Sequence, residues 1–287
     1  MSNTRILVLG AAGMLGNAVY RFMSQIGRFD VRGTVRSTNS VAPFSAELRD
    51  RLMSNVDLDN FDTLSDVLRK SRPDVVINCV GLVKQLSAAN DPLLAVPVNT
   101  MLPHRLARLC ALGGARLVHV STDCVFDGKK GSYTESDVPN AYDLYGRSKL
   151  LGEVDYPNAV TLRTSIIGHE LSGAHGLIDW FLSQKGPVRG FSRAIFSGLP
   201  TVELARVMAE YVIPARDLTG VYHVSAEPIS KLDLLRLVAT RYGHTSEIVH
   251  DDEVVIDRSL NSGRFRRATG YEPPSWPTLV SAMHDFG

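Results

Sequence analysis

Short apolar runs alternate with segments of helical periodicity over the first 167 residues of the chain. The first of these runs, Arg5–Leu9, is followed by a glycine turn and is typical of a strand buried on both faces of a parallel sheet. Between them, apolar residues recur every three to four positions, as at Leu15, Val19 and Met23, which predicts helices with one buried face. The predicted strands are Arg5–Leu9, Val31–Val35, Val75–Val80, Leu117–Val120 and Val160–Arg163, and the clearest predicted helices are Met14–Ser24 and Pro103–Leu112.

This alternation predicts an α/β fold with a doubly wound parallel sheet, the Rossmann architecture, which binds ligands at the carboxyl ends of its strands. After Ile167 the pattern loosens, and helices are predicted at Leu177–Ser183, Val202–Val212 and Leu232–Tyr242. We therefore expect a Rossmann domain over residues 1–167 and a smaller C-terminal α/β substrate lobe over residues 168–287. A chain that crosses back between the two is left open.

The composition argues against several classes of protein. Hydrophobic residues make up 44% and charged residues 21% of the chain, as in ordinary globular proteins. The formal net charge of +1 argues against a nucleic acid or an anionic membrane as a partner. Three widely spaced cysteines without a CxxC motif favour reduced thiols over disulfides or a metal site. We expect a cytoplasmic protein without a bound metal, and a homodimer is left open.

Three glycines follow the first predicted strand and open the first helix. Gly10 permits a tight turn, Gly13 lets a pyrophosphate approach the backbone, and Gly16 allows the helix to pack closely on the strand. The spacing is GxxGxxG, and its place between strand and helix is the one that a dinucleotide turn requires. We therefore predict a dinucleotide-binding domain, with Met14 and Leu15 also contacting the cofactor. Glycines that serve only the turn and the packing remain the alternative.

The second strand indicates which dinucleotide is bound. NAD-selective sites place an acidic residue at the carboxyl end of this strand. Asp30 begins the strand, and five or six residues at about 3.3 Å each put it at the far edge of the sheet. The carboxyl end carries Arg36 and Ser37, and a guanidinium there suits the 2′-phosphate of NADPH. We predict NADPH as the cofactor, with NADH left open. A solvated surface arginine is the alternative.

Tyr145 and Lys149 are four residues apart, which places a phenol and an ammonium on one face of a helix. A tyrosine titrates at ~10, so it transfers protons well at neutral pH only where its anion is stabilised. An adjacent cation does this, and lowering the pKa by ~3 units corresponds to ~4 kcal/mol. The buried strand upstream delivers Ser121 and Thr122 at its carboxyl end, where a hydroxyl can hold a substrate oxygen. An exposed surface pair is the alternative.

Taken together, the glycine triplet, the strand-end Ser-Thr-Asp and the tyrosine–lysine pair resemble the extended short-chain dehydrogenase/reductase superfamily. Within it, Ser121–Gly128 (STDCVFDG) followed by Tyr145–Glu153 (YGRSKLLGE) resembles the dTDP-4-dehydrorhamnose reductase family of nucleotide-sugar reductases. The likeness runs from the N-terminus to about Gly168 and extends more loosely through Gly198–Thr201. The loop that contains Lys84–Gln85 departs from that family's usual sequence.

The resemblance implies roles for the matching residues. By it, the catalytic triad would comprise Thr122, Tyr145 and Lys149, and the last two would also contact the cofactor. The substrate would lie against Thr122 and Asp123. Further cofactor contacts, the first two flanking the adenine, would come from Asp57, Leu58, Val80 and Gly81.

The same resemblance implies the reaction. NADPH would deliver a hydride to the keto carbon of a nucleotide-linked keto sugar, a 4-keto-6-deoxy sugar, while Tyr145 protonates the oxygen. Lys149 would lower the pKa of the tyrosine, and Thr122 would polarise the carbonyl. Related dehydratases carry Asp-Glu after the threonine, whereas this chain has Asp123 and Cys124, which argues against dehydration. A nucleotide-sugar epimerase and a non-catalytic, dinucleotide-binding regulatory subunit remain alternatives.

Two arginines are candidates for contacts with substrate phosphates. Arg163 ends the last predicted strand, Val160–Arg163, and a structural pairing at the domain junction is its alternative role. Arg258 belongs to a basic C-terminal stretch and is a candidate for binding a diphosphate, with a solvated face as the alternative. We include both in the predicted substrate site.

Overall fold

The computed structural model describes residues 3–82 and 87–287, so Lys84 and Gln85 lie outside the described residues. The strands are β1 (Thr4–Leu9), β2 (Phe29–Thr34), β3 (Leu52–Met53), β4 (Val75–Asn78), β5 (Arg116–Thr122), β6 (Ala159–Thr164), β7 (Ile166–Ile167), β8 (Val188–Phe191), β9 (Ala194–Phe196), β10 (Leu199–Pro200), β11 (Gly220–His223), β12 (Ile229–Ser230), β13 (Ile248–Asp251) and β14 (Ile256–Asp257). The α-helices are α1 (Met14–Gln25), α2 (Ala46–Arg49), α3 (Phe61–Ser71), α4 (Pro92–Ala95), α5 (Leu102–Gly113), α6 (Leu144–Leu151), α7 (Leu177–Ser183), α8 (Thr201–Val207), α9 (Lys231–Tyr242), α10 (Gly263–Thr269) and α11 (Trp276–Phe286). Short 3₁₀ segments cover Thr38–Val41, Ser87–Asn90 and Asp123–Val125, and π turns cover Val96–Met101 and Met208–Val212.

Seven parallel strands form the central sheet, in the order β11-β6-β5-β4-β1-β2-β3. Each strand predicted from an apolar run is present, with ends that differ by two residues or fewer. The strand order reverses between β1 and β4, so a crevice opens at the carboxyl ends of these strands. The predicted α/β fold with a doubly wound parallel sheet is confirmed.

The side chains of β1 alternate between two hydrophobic cores, one on each face of the sheet. Ile6 and Val8 pack with α1, α8 and α11, whereas Leu7 and Leu9 pack with α3 and α5. All four are at most 2% exposed. Burying each such side chain contributes about 1.5–3 kcal/mol, so the sheet is anchored from both sides and holds its carboxyl edge in place.

The C-terminal part of the chain contributes to the central sheet and to a smaller lobe. β11 pairs with β6, so residues beyond 167 supply the seventh strand of the central sheet. The smaller sheets β12-β9-β14, β13-β8 and β10-β7 pack with the C-terminal helices. The domain division at 167/168 stays a prediction, and β11 shows that the chain returns to the first sheet after that point.

The three helices predicted in this part of the chain are present with small differences. Leu177–Ser183 is helix α7, and Leu232–Tyr242 is α9 with one residue added at its start. The predicted helix Val202–Val212 is α8 followed by a π turn. Among residues 3–82 and 87–287, no helix is both long enough and apolar enough to cross a membrane.

A π turn, Val96–Met101, joins α4 to α5. The sequence predicts a helix only from Pro103, because a proline suits the first turn of a helix. In the structure the chain is helical from Pro92, and Pro103 has no N–H to donate to the Asn99 carbonyl four residues earlier. Gly152, after α6, fits against this carbonyl, since a Cβ there would lie 1.9 Å from the oxygen. The widened turn therefore receives the end of α6 at close range.

Candidate active site

Thr122 ends β5 at the carboxyl edge of the central sheet. Its hydroxyl donates to Asp123 Oδ1 at 3.0 Å and accepts a hydrogen bond from the Cys124 N–H at 3.1 Å. The side chain is 8% exposed. A hydroxyl that is bonded on both sides has little rotational freedom, which favours a role in positioning another group.

Helix α6 carries Tyr145 to the same place. Asp143 caps the helix by accepting a hydrogen bond from the Gly146 N–H at 2.7 Å. The helix lies directly against the turn after β5 because Gly146 has no side chain, and a Cβ there would lie 2.4 Å from the Cys124 carbonyl oxygen. The side chains of Tyr145 and Thr122 hydrogen bond with each other. The structure thus brings the predicted phenol and the predicted hydroxyl together.

The pKa of Tyr145 shifts in the direction opposite to the one expected. Burial disfavours the phenolate and raises the pKa of Tyr145 above its ordinary value. The neighbouring Cys124 acts in the same direction, and the hydrogen bond with Thr122 opposes it. In this arrangement burial outweighs the lowering expected from Lys149, whose ammonium is bonded to a backbone carbonyl of β5. The phenol stays protonated at neutral pH, which is the form that a proton donor needs.

Lys149 is almost completely buried, with 5% of its surface exposed. Burial lowers its pKa from 10.5 to about 8, and the charge of Glu153 opposes this shift. Nζ donates to the Val120 carbonyl at 2.8 Å. It also faces Gly81, where a Cβ would lie 3.6 Å from the ammonium. Gly81 itself is exposed.

The turn after β1 has the geometry that its glycines predict. Gly10 adopts φ +79°, which favours glycine. A Cβ on Gly16 would lie 2.0 Å from the Gly10 carbonyl oxygen, whereas a Cβ on Gly13 would come no closer than 3.5 Å to its nearest neighbour. Gly13 precedes α1 without a side-chain cap, which leaves the backbone N–H groups of Met14 and Leu15 available to an anion.

The predicted cofactor residues after β2 and β3 lie next to each other. The Val56 N–H donates to the Val35 carbonyl at 3.2 Å and joins the two segments that follow these strands. Asp30 sits near the opposite edge of the sheet, 3.9 Å from Arg51, as its position at the start of β2 predicts. The guanidinium of Arg36, which follows β2, is exposed, and no hydrogen bond or ion pair from the described part of the chain holds it. The residues grouped here are Arg36, Ser37, Asp57 and Leu58.

Two buried asparagines that the sequence analysis does not single out shape the loop after β4. Asn78 Oδ1 accepts from the Val80 N–H at 3.1 Å, and Asn99 Oδ1 accepts from the Leu82 N–H at 2.9 Å. Each asparagine is 1% exposed. They hold Val80 and Gly81, both predicted cofactor residues, in place. The position of Asn78 at the end of an apolar strand is a signal in the sequence, whereas Asn99 lies in the π turn, which has no periodic signature.

Asp123 lies near two cations of the C-terminal lobe. Arg258 follows β14, and its Nε donates to the Phe126 carbonyl at 2.8 Å. Lys231 begins α9 and is half-buried. Burial lowers the pKa of Lys231, and the charge of Asp123 opposes this shift. The structure thus brings the predicted substrate residues Asp123 and Arg258 together and adds Lys231, which the sequence analysis missed because a lysine at the start of a helix resembles a solvated one.

Arg163 is buried in an ion pair with Glu153. Its Nε and Nη2 donate to the two carboxylate oxygens at 2.7 and 2.6 Å, and its Nη1 lies 3.3 Å from His223 Nε2. The arginine is 5% exposed. These contacts occupy the guanidinium and favour the structural pairing over contact with a substrate phosphate.

A tyrosine–lysine helix beside a dinucleotide turn is the arrangement of the short-chain dehydrogenases and reductases, and the fold and the site define the chain as an oxidoreductase of this class. The chain belongs to the family described as RmlD substrate binding domain, whose model matches residues 4–276. This match confirms the expected place among the dTDP-4-dehydrorhamnose reductase-like members of the superfamily. It also confirms the expected enzyme class, an NAD(P)-dependent oxidoreductase.

Relatives of two kinds resemble the chain in sequence. Methionine adenosyltransferase 2 subunit beta from Danio rerio is 30% identical over 252 residues, which cover 83% of this chain and 74% of that protein. dTDP-4-dehydrorhamnose reductase from Mycobacterium tuberculosis (strain CDC 1551 / Oshkosh) is 30% identical over 203 residues, which cover 63% of this chain and 60% of that protein. One relative is named as a reductase and the other as a subunit, so the likeness in sequence does not by itself choose between the two.

Solved structures share the whole fold. A hypothetical dTDP-4-dehydrorhamnose reductase from Sulfolobus tokodaii has a TM-score of 0.76 and 28% identity, covering 95% of this chain and 98% of that one. The dTDP-4-dehydrorhamnose reductase from Bacillus anthracis str. Ames in complex with NADP has a TM-score of 0.80 and 20% identity, covering 99% of each chain. The second likeness supports the fold alone.

Proposed function

We propose that the protein is an NADPH-dependent reductase of a 4-keto-6-deoxy sugar linked to a nucleotide. The observation that carries this proposal is the meeting of Thr122, Tyr145 and Lys149 at the carboxyl edge of the sheet, beside a turn shaped for a dinucleotide. The reductase from M. tuberculosis is named for such a reaction, which supports a nucleotide-sugar reductase. The exposed guanidinium of Arg36 after β2 favours NADPH as the cofactor, with NADH left open.

The residues present fit a nicotinamide dinucleotide. The N-terminus of α1 lacks a side-chain cap, and its N–H groups and dipole suit a pyrophosphate. Gly13 leaves the space in front of this helix free, since even a Cβ there would come no closer than 3.5 Å to its nearest neighbour. The exposed guanidinium of Arg36 suits the 2′-phosphate of NADPH. Val80 and Gly81 would line the same crevice.

A bound NADPH would supply the hydride that reduces the keto carbon. Tyr145, which is protonated at neutral pH, donates its proton to the keto oxygen as negative charge develops there. Thr122 would turn its hydroxyl hydrogen from Asp123 to the same oxygen and so help to hold it. Lys149 carries a positive charge below its pKa of about 8, and this charge stabilises the phenolate that the proton transfer leaves behind.

The substrate's phosphates would lie against the C-terminal lobe. Arg258 is positioned through Nε, and its Nη atoms have no hydrogen bond or ion pair from residues 3–82 or 87–287. Lys231 provides a second cation beside Asp123. Two half-buried cations at the rim of the crevice favour an anionic group such as a diphosphate.

The test is to follow NADPH oxidation with a panel of dTDP-, UDP- and GDP-linked 4-keto-6-deoxy sugars. We expect turnover with at least one of them, and a loss of about 10²–10⁴-fold in kcat for Tyr145→Phe with the Kd of NADPH nearly unchanged. Tyr142→Phe is the matched control, because Tyr142 is 69% exposed three residues earlier. No turnover with any sugar, or a fully active Tyr145→Phe enzyme, would contradict the proposal. An epimerase would keep its dinucleotide bound and consume no NADPH.

A second candidate function, a dinucleotide-binding subunit of another enzyme, is favoured by one observation, the likeness to the Danio rerio subunit. The complete set of Thr122, Tyr145 and Lys149 argues against it. The same panel separates the two functions, because such a subunit would bind NADPH without oxidising it with any sugar.

A further inference from the structure

A buried ion pair lies behind the tyrosine–lysine helix. Glu153 and Arg163 have side chains that are each 6% exposed. Nε and Nη2 of the arginine donate to the two carboxylate oxygens at 2.7 and 2.6 Å, and the Ser121 hydroxyl donates to Oε1 at 2.7 Å. A buried ion pair is weak evidence of stabilisation, because desolvation offsets much of the attraction. Its place beside Lys149 gives it another role.

Consecutive residues of β5 bind Lys149 on α6 and Glu153 just beyond the end of this helix. The Val120 carbonyl accepts from Lys149 Nζ at 2.8 Å, and the Ser121 hydroxyl donates to Glu153. Glu153 follows Lys149 by four residues, just after Gly152 ends the helix. The strand therefore anchors the ammonium and the carboxylate through neighbouring residues, close enough for the charge of Glu153 to act on Lys149.

The carboxylate is held from its other side as well. Arg163 lies on β6, its Nη1 is 3.3 Å from His223 Nε2, and its guanidinium lies over the Phe126 ring at 5.4 Å. A bidentate guanidinium holds a buried carboxylate in one orientation. Glu153 is thus a fixed negative charge rather than a mobile one.

The groups that face Lys149 come from each element packed around it. Cys79, which follows β4, has a thiol pKa raised to about 12 by burial and is neutral at physiological pH. His119 on β5 has its pKa lowered well below 6.5, chiefly by burial, and is neutral as well. Tyr145 on α6 stays protonated. Glu153 is therefore the negative charge among the described residues that offsets the burial of this ammonium.

We propose that Glu153, fixed by Arg163 and Ser121, is a positioning residue that keeps Lys149 charged and aligned on β5. This inference rests on the proposed function, in which the ammonium stabilises the phenolate. Neither Glu153 nor Arg163 touches the reacting atoms in this scheme. The pair acts through Lys149 alone.

The test measures the titration of Lys149 directly, without turnover. In protein labelled with ¹³C at the lysine ε-carbons, the Lys149 signal is assigned by its disappearance in Lys149→Arg. We expect the wild-type Lys149 to titrate near pH 8, because burial lowers its pKa to about 8. In Glu153→Gln the midpoint should fall by about one pH unit, because an opposite charge has been removed. Glu153→Asp keeps the negative charge, so its midpoint should lie close to that of the wild type. Arg163→Lys, which keeps a positive charge beside Glu153, is the matched control.

The kinetic readout is the alkaline side of the pH profile. If the midpoint falls by one pH unit, the charged fraction of Lys149 at pH 8 drops about fivefold, and kcat should fall by the same factor in Glu153→Gln. Should that variant fail to fold, the double variant Glu153→Met with Arg163→Met removes both buried charges without leaving one unpaired.

The two proposals fail in different ways. An unchanged titration of Lys149 in a folded variant without the carboxylate overturns the role of Glu153, whatever the enzyme does with a sugar. If the Lys149 titration shifts but none of the sugars leads to NADPH oxidation, the role of Glu153 is supported and the proposed reaction is overturned.

Discussion

The two functional regions of this molecule place their cations in opposite environments, one buried and the other open to solvent. In the catalytic corner, defined by Thr122, Tyr145 and Lys149, the ammonium is 5% exposed and bonded to a backbone carbonyl. In the recognition rim, defined by Arg36, Lys231 and Arg258, the cations are exposed or half-buried. The rim guanidinium of Arg36 has no partner among residues 3–82 and 87–287, whereas Arg258 uses Nε alone.

The difference follows from what each group has to do. A residue that handles a proton needs a pKa shifted by burial, and burial requires that its polar atoms be bonded within the protein. A residue that recognises a phosphate gains most when its donors are free until the ligand arrives. Substitutions in the corner should therefore change kcat, and substitutions in the rim should change binding.

The largest effect should come from Lys149→Met. Removing the ammonium leaves the phenolate of Tyr145 without a nearby cation during proton transfer, so we expect kcat to fall by about 10²–10³-fold. The measurement is steady-state NADPH oxidation at pH 7, with the Kd of NADPH determined in parallel by fluorescence. Lys149→Arg keeps the charge and should lose less. If weaker NADPH binding accounts for the whole loss of activity, Lys149 acts in binding the cofactor and not in the proton transfer.

Much of the fold and part of the site follow from local sequence patterns. The strands β1, β2, β4, β5 and β6 lie within two residues of the predicted runs, and an apolar run such as Ile6–Leu9 in β1 specifies a buried strand without help from distant residues. Spacing places Tyr145 and Lys149 on one face of α6, and the length of β2 places Asp30 and Arg36 at opposite edges of the sheet. Each of these inferences needs only geometry within one element.

The remaining features depend on contacts between elements that are distant in sequence. The ion pair of Glu153 with Arg163 joins the end of α6 to β6, and no periodicity announces it. The raised pKa of Tyr145 depends on how deeply packing buries the phenol, which a sequence does not state. Lys231 comes near Asp123 only because the C-terminal lobe folds over the crevice.

The dinucleotide turn shows the same contrast, because Gly16 is tightly packed against the backbone whereas Gly13 borders free space. A Cβ at Gly16 would lie 2.0 Å from the Gly10 carbonyl oxygen, and the backbone has to shift to admit it. We expect Gly16→Ala to lower the free energy of unfolding by about 3 kcal/mol in urea titrations. Gly13→Ala should leave this free energy nearly unchanged and weaken NADPH binding at least tenfold, since the methyl group enters the space in front of α1. Equal stability of the two variants would contradict this account.

Two buried histidines should make the corner side of the sheet sensitive to acid. Burial lowers the pKa of His119 well below 6.5 and that of His223 to about 4. Between these values and 6.5 the unfolded chain binds more protons than the folded protein, so stability falls as the pH drops from 6.5. Each histidine contributes up to about 1.4 kcal/mol per pH unit in this range.

The measurement is the free energy of unfolding in urea at pH 7, 6 and 5. His223→Gln removes one titrating group and should flatten the decrease, while His250→Gln, an exposed histidine, serves as the control. A decrease that is equally steep in His223→Gln and in the wild type would show that this imidazole is not the group that titrates.

At the rim, Arg36→Ala should narrow the preference for NADPH over NADH. An exposed guanidinium that binds the 2′-phosphate is partly screened by water, so we expect a change of about tenfold in the ratio of the two Kd values and none in kcat at saturation. Arg32→Ala is the matched control, because Arg32 is exposed on β2 before its carboxyl end. An unchanged ratio would mean that Arg36 is a solvated arginine and that the cofactor is read elsewhere.

The smallest effect should come from Lys231→Met. In the proposed complex, Lys231 and Arg258 both contact the substrate's phosphates, and the dipole of α9 adds positive charge at the same place. The loss of one ammonium is therefore partly compensated. We expect the KM for the nucleotide sugar to rise about threefold with kcat unchanged, and the rise to shrink at high salt because the interaction is half-exposed. Lys70→Met, at an exposed position on α3, should change neither constant. A fall in kcat for Lys231→Met without a change in KM would show that this lysine acts in catalysis. Asp123 and Lys231 would then belong to the catalytic corner, although Lys231 is only half-buried.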